Sequence, residues 1–136
     1  MTISEKQAAL VDEFAFFDDW MDKYNHIIEM GKSLKAMPDG GKDDELLVQG
    51  CQSKVWLKAE KQDHLVRFWA DADAIIAKGI VAMLIDVFDG QPADEIANAE
   101  LNFIEEIGLK DHLSPTRANG LMSMIKQMKI YALAFS

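Results

Sequence analysis

Apolar positions in the first quarter of the chain recur at three- to four-residue steps. Ala8, Leu10, Val11, Phe14 and Phe17 follow Ser4, which with Gln7 three residues later has the form of a capping box, so a helix is predicted over about 5–16. Asp18 or Asp19 then caps a second helix, in which Trp20, Tyr24, Ile27, Ile28 and Leu34 recur, running to about Gly31–Leu34. Met37-Pro38-Asp39-Gly40-Gly41-Lys42-Asp43-Asp44 reads as a loop. Beyond it the period shortens. Leu46 to Cys51 reads as a short extended piece, with Gly50 at a tight bend just before the cysteine. Val55, Leu57 and Ala59 alternate with Lys54, Trp56 and Lys58, which is strand periodicity. Lys61-Gln62-Asp63-His64 supplies a turn, and Leu65 to Ala70 is a second strand rich in aromatic and branched residues. The pair forms an antiparallel hairpin, with Leu46–Val48 as a candidate third strand.

Helical spacing then returns. Asp71 or Asp73 is placed to cap a helix whose buried stripe is Ile75, Ile76, Gly79, Ile80, Met83, Leu84 and Val87, ending at Gly90. Pro92 sits in the first turn of a further helix, with Glu95 in the same turn. Leu101, Phe103, Ile104 and Ile107 mark a short helix that stops at Gly108. Ser114-Pro115 then opens a long final one through Leu121, Met124, Ile125, Met128, Tyr131, Ala132 and Phe135. The expected class is α+β: a small antiparallel sheet of two to three strands packed by helices, in one domain over 1–136. No βαβ alternation and no Gly-x-Gly-x-x-Gly fingerprint points to a dinucleotide domain.

Charge narrows the partners. The chain carries 14 basic and 23 acidic residues, a net charge of −9, which argues against a nucleic-acid partner. From His112 to Ser136 there are three basic residues (Arg117, Lys126, Lys129) and no acidic one, while the remainder holds 11 and 23. That asymmetry offers an oriented face for a protein partner; a helix with solvated lysines is the plainer explanation. The longest apolar run, Ile80 to Ile85, is far short of a membrane span, and the first residues lack the layout of a secretion signal. A cytoplasmic location is the expectation.

Little conventional catalytic chemistry is visible. His26, His64 and His112 fall in different elements with no ligand spacing, although His112 follows Asp111 and could pair with it. The carboxylate pairs Asp18-Asp19 and Asp43-Asp44 lie in polar stretches. The methionines read as core filler, and Trp20, Trp56 and Trp69 as packing against the sheet. The single cysteine, Cys51, excludes an internal disulfide and a cysteine-based metal site within one chain. A lone cysteine is often inert core. This one stands between Gln49-Gly50 and Gln52-Ser53, ahead of a strand rather than inside it, which points to a thiol on a loop. Residues alone leave both readings open.

Val48-Gln49-Gly50-Cys51-Gln52-Ser53-Lys54-Val55-Trp56-Leu57 resembles the thiol signature of the SufE family of sulfur acceptors, including CsdE-type proteins. Three further blocks agree in order: Ala70 to Gly79; Gly108-Leu109 with His112 to Leu121; and Ser123 to Lys126. The resemblance implies a fold like that of the IscU scaffold, without the scaffold's set of metal-binding cysteines. It implies a partner, a SufS-like or CsdA-like cysteine desulfurase, which carries pyridoxal phosphate and holds sulfur as a persulfide; no cofactor is implied on this chain. Cys51 is then the persulfide acceptor, and an iron–sulfur scaffold complex receives the sulfur downstream. Gly50, Gln52, Lys54, Asp71, Asp73, Arg117, Asn119 and Gly120 form the expected partner face, with Lys54 and Arg117 as candidates for activating the thiol. For Asp71, Asp73, Arg117, Asn119 and Gly120 the competing explanation is capping and turn formation. Two alternatives stand beside the sulfur acceptor: a non-catalytic interaction module with Cys51 as packing, and a cluster scaffold, which the single cysteine disfavours.

Overall fold

A computed structural model describes residues 1–38 and 43–136. The expected loop from Met37 to Asp44 therefore lies in part, at 39–42, outside the described residues. Helices α1 (Ile3–Phe14) and α2 (Trp20–Lys32) form an N-terminal pair. A 3-10 turn (Asp44–Leu46) leads to strands β1 (Val55–Gln62) and β2 (Leu65–Ala72), then helix α3 (Ile75–Phe88) and a two-residue strand β3 (Gln91–Pro92). Helices α4 (Ala93–Asn98), α5 (Phe103–Ile107), α6 (Leu109–His112) and α7 (Pro115–Phe135) complete the chain. The sheet is antiparallel throughout, in the order β1-β2-β3, with Val55 opposite Ala72 and Gln62 opposite Leu65. The class is α+β, as expected.

The core is built around α3. Of its 14 residues, 11 are buried, so it is apolar nearly all round and is covered on every side. The sheet packs on it through Val55, Leu57, Val66 and Phe68, all fully buried. Against its other side lies α2 at backbone contact. A Cβ added to Gly79 would stand 2.2 Å from the carbonyl oxygen of Ile27, and one added to Gly31 would stand 2.7 Å from the Gly79 nitrogen. Only glycine permits that crossing.

Several local expectations change. The capping box is formed by Thr2 and Glu5, ahead of Ser4 and Gln7: Thr2 Oγ1 accepts from the Glu5 N–H at 3.1 Å, and Glu5 Oε1 accepts from the Thr2 N–H at 2.9 Å. Gln7 is instead buried, donating to the Glu100 carbonyl and accepting from the Phe103 N–H, which ties α1 to α5. Asp19 caps α2 as expected. Leu46–Val48 does not make the third strand; only Leu47 bridges to Trp56, and the third strand is Gln91–Pro92. That strand holds Pro92, which precedes α4 as its N-cap instead of entering its first turn. Proline is tolerated there because this edge position needs no ladder donor. The tight turn narrows to Asp63-His64, with Asp63 at φ 58°. The first three residues of β1 are all buried, so Trp56 on its apparently polar face is core too. Trp20 packs away from the sheet, its ring 4.2 Å from that of His112 in an edge-on contact.

Candidate functional site

The segment carrying the cysteine is pinned at both ends. The Val48 N–H donates to the Val55 carbonyl at 2.8 Å, closing the chain around residues 49–54. At its far end Lys54 and Asp73 are doubly joined: the Lys54 N–H donates to Asp73 Oδ1 at 3.0 Å, and the Asp73 N–H donates to the Lys54 carbonyl at 3.0 Å. Between these pins Gly50 takes φ +93°, a left-handed conformation that costs a residue with a Cβ about 1–2 kcal/mol. A Cβ there would also lie 2.4 Å from Ser123 Oγ on α7. The bend read from Gly50 is thus present, and it turns the chain so that Cys51 faces α7.

Helix α7 meets it with its N-terminal half. Ser114 caps the helix by accepting from the Arg117 N–H at 3.3 Å, and Pro115 occupies the first position. The stripe Thr116, Gly120 and Met124, at four-residue steps, then faces the thiol. Cys51 Sγ donates to the Gly120 carbonyl at 3.6 Å. Together with Val55 of β1 and Ala77 and Ile80 of α3, these residues enclose a cavity of about 50 Å³ that also includes Gln52, Ser53 and Arg117. Cys51 is half-buried, and burial pushes its thiol above the ordinary value. The resting side chain is accordingly a protonated thiol donating to a carbonyl, in a cavity whose lining includes Arg117.

The expected partner-face residues divide. Gln52, Arg117 and Gly120 share the cavity with Cys51, and Gly50 abuts Ser123 at its edge. Lys54 does not line the cavity; its backbone anchors the loop to Asp73, so among the described residues Arg117 is the only cation lining it. Neither Asp71 nor Asp73 caps α3, whose N-cap is Ala74 with no side-chain bond. Asp73 is taken up by Lys54, and Asp71 Oδ1 accepts from the Ala72 N–H at 2.8 Å and lies 3.4 Å from Lys78 Nζ. Asp71 therefore belongs to a groove with Leu34, Lys35 and Lys78, apart from the thiol. Asn119 is exposed outside the cavity. Ser123, Thr116 and the cavity walls Ala77, Ile80 and Met124 do not stand out as site residues in the sequence; the four-residue spacing on α7 is the signal that could have found them.

Elsewhere, His26 Nε2 lies 3.0 Å from Glu13 Oε1, and His112 meets Trp20. Among the described residues no group of three or more His, Cys, Asp or Glu side chains is placed to hold a metal ion. No described helix is long and apolar enough to cross a membrane.

The site and fold define a small α+β protein that presents one loop thiol against the first turns of a long helix. The SufE family, described as an Fe-S metabolism associated domain, matches residues 8–132, and the chain belongs to that family. An uncharacterized SufE-like protein of Rhizobium meliloti (strain 1021) is 43% identical over 125 residues, covering 88% of this chain and 89% of the relative. Another from Rhizobium etli is 38% identical over 125 residues, covering 88% and 84%. One from Synechocystis sp. is 37% identical over 134 residues, covering 98% and 84%. The fold matches the solution structure of a hypothetical protein from Thermus thermophilus with a TM-score of 0.79, over 96% of this chain and 95% of that one, at 17% identity.

Proposed function

We propose that this protein accepts sulfur on Cys51 from the persulfide of a cysteine desulfurase and passes it on to an iron–sulfur scaffold complex in the cytoplasm. The observation that carries the reading is the setting of Cys51: a loop thiol, half-buried at a small cavity whose lining includes Arg117. A packing cysteine would need neither the pinned loop nor the left-handed bend at Gly50.

The chemistry is a thiol–persulfide exchange. The Cys51 thiolate attacks the outer sulfur of the donor persulfide. The donor's S–S bond breaks, an S–S bond to Cys51 Sγ forms, and the donor cysteine leaves as its thiolate, which takes up the proton lost by Cys51. No net oxidation occurs, so the exchange runs near equilibrium and is drawn forward by removal of the product. In the free protein burial and the Gly120 carbonyl favour the protonated thiol, which is a weak nucleophile. Activation accompanies docking, when the thiol leaves the carbonyl and the Arg117 cation favours the anion.

The test is intact mass spectrometry after incubation with the SufS-like and CsdA-like desulfurases of the same organism, cysteine and pyridoxal phosphate. A gain of about 32 Da per sulfur on Cys51, absent from Cys51→Ser, is expected. Binding to the desulfurase with no adduct would overturn the acceptor role in favour of an interaction module.

A further inference from the structure

The head of α3 carries a side chain that neither the core nor the thiol chemistry uses. Ile75 is 68% exposed, although Ile76, Ala77, Gly79 and Ile80 after it are buried. Its position ties it to the thiol. Lys54 and Asp73 are doubly hydrogen-bonded; Cys51 lies three residues before that junction and Ile75 two residues after it. Ala77 and Ile80, on the first turns of the same helix, wall the Cys51 cavity. Of the other large exposed apolar residues, Phe16 and Met21 lie at the α1–α2 corner and Ile130 and Leu133 at the far end of α7. Met122 lines a separate groove with Leu101, Ile104 and Lys110.

We propose that Ile75 is an apolar anchor for the sulfur donor: it seats in an apolar socket on the desulfurase beside the donor's persulfide. This rests on the sulfur-acceptor reading, and that reading also fixes the occupant. A protein-borne outer sulfur can reach a half-buried Sγ only if the protein carrying it covers the cavity mouth, and the first turns of α3 wall that cavity through Ala77 and Ile80. An exposed branched side chain two residues beyond the exposed Asp73–Lys54 junction suits a single buried contact flanked by polar ones. Ile75 makes no contact with the reacting sulfur; its role is to position Cys51 by docking.

The experiment compares wild type, Ile75→Ala and Ile75→Glu by calorimetric titration into each of the organism's SufS-like and CsdA-like desulfurases without cysteine. Sulfur uptake on Cys51 is followed in parallel with a small-molecule donor, inorganic polysulfide. Removing a buried branched side chain should raise Kd about tenfold for Ile75→Ala, and a carboxylate in an apolar socket should raise it further for Ile75→Glu. Labelling by polysulfide should be unchanged in both, because it requires no docked protein, and the unfolding midpoints should match wild type because the side chain is exposed. Unchanged Kd values in both variants, with wild type still acquiring sulfur from the desulfurase, would overturn the anchor and leave the acceptor reading standing. If wild type acquires no sulfur from either desulfurase, the acceptor reading fails, and the anchor fails with it.

Discussion

The Cys51 thiol donates to the carbonyl of Gly120, 3.6 Å away, so the sulfur of the loop is held by the backbone of α7. A carbonyl can only accept, so it favours the thiol over the thiolate, and burial acts in the same direction. Iodoacetamide should therefore alkylate Cys51 in the free protein with an inflection above the ordinary thiol value of about 8.5. The same shift sets a stability dependence. A thiol whose folded pKa is raised contributes stability that is present below the unfolded value and is lost as pH rises through the folded one. An alkylation inflection at or below that of a small free thiol would show that the loop does not hold the side chain as described.

Gly50 should resist substitution for two separable reasons. Its φ of +93° is unfavourable for any residue with a Cβ, and the added carbon would meet Ser123 Oγ at 2.4 Å. Gly50→Ala is expected to cost about 1–3 kcal/mol in denaturant unfolding and to expose Cys51 to alkylation. Adding Ser123→Gly should recover the steric part only, since the backbone conformation is untouched. Full recovery in the double variant would mean that the left-handed bend is not needed.

The crossing of α2 and α3 makes a sharper demand. An added carbon at Gly79 would lie 2.2 Å from a backbone oxygen, which no side-chain rotation relieves. Gly79→Ala should cost about 3 kcal/mol or more in urea unfolding. A loss under about 1 kcal/mol would indicate that the helices separate easily.

Asp89 gives the fold an acid-sensitive tie. Its side chain is 20% exposed and joins the end of α3 to β2 and to the segment after α2. Burial pushes its carboxyl up, but this is outweighed by donors from Arg67 at 3.1 and 3.2 Å, the Phe68 N–H at 2.8 Å and Lys35 at 3.0 Å, so its pKa is lowered. Its stabilisation is therefore present above the unfolded value of about 3.9 and is lost as pH falls through the lower folded value. Asp89→Asn should lose about 1–2 kcal/mol at pH 7, the modest figure reflecting cations that reach solvent, and should flatten the acid limb of the stability curve. A variant whose acid limb matches wild type would remove Asp89 from this role.

What the sequence shows and what it conceals follow from the range of the forces involved. Helix periodicity, the hairpin, the Asp19 and Ser114 caps and the Gly50 bend are local features, and each is where the spacing puts it. The misassignments concern polar groups whose partners are distant in sequence. Asp73 looks like a cap but bonds Lys54, 19 residues earlier, and Gln7 looks like half a capping box but bonds residues more than 90 positions away. Gln91-Pro92 is too short to carry a strand period and pairs only because Leu65 and Val66 offer it an edge. The thiol is legible as a position; its cavity is not, because β1, α3 and α7 each contribute a wall.

If Cys51 accepts sulfur as proposed, Arg117 has a role distinct from helix capping. The cap uses only its backbone N–H, bonded to Ser114 Oγ, so truncating the side chain leaves the start of α7 intact. The guanidinium, by contrast, is the one formal positive charge among the described residues lining the Cys51 cavity. In the proposed exchange negative charge develops there twice, on the attacking thiolate and on the terminal sulfur of the persulfide product. A cation nearby lowers the free energy of both. Arg117→Ala should slow sulfur acceptance from the desulfurase about tenfold, while unfolding stays within about 0.5 kcal/mol of wild type. Arg117→Lys keeps the charge and should restore most of the rate. Rapid-quench mass spectrometry of the Cys51 adduct at saturating desulfurase measures the effect apart from docking affinity. An unchanged rate would show that the anion draws its stabilisation from the partner alone.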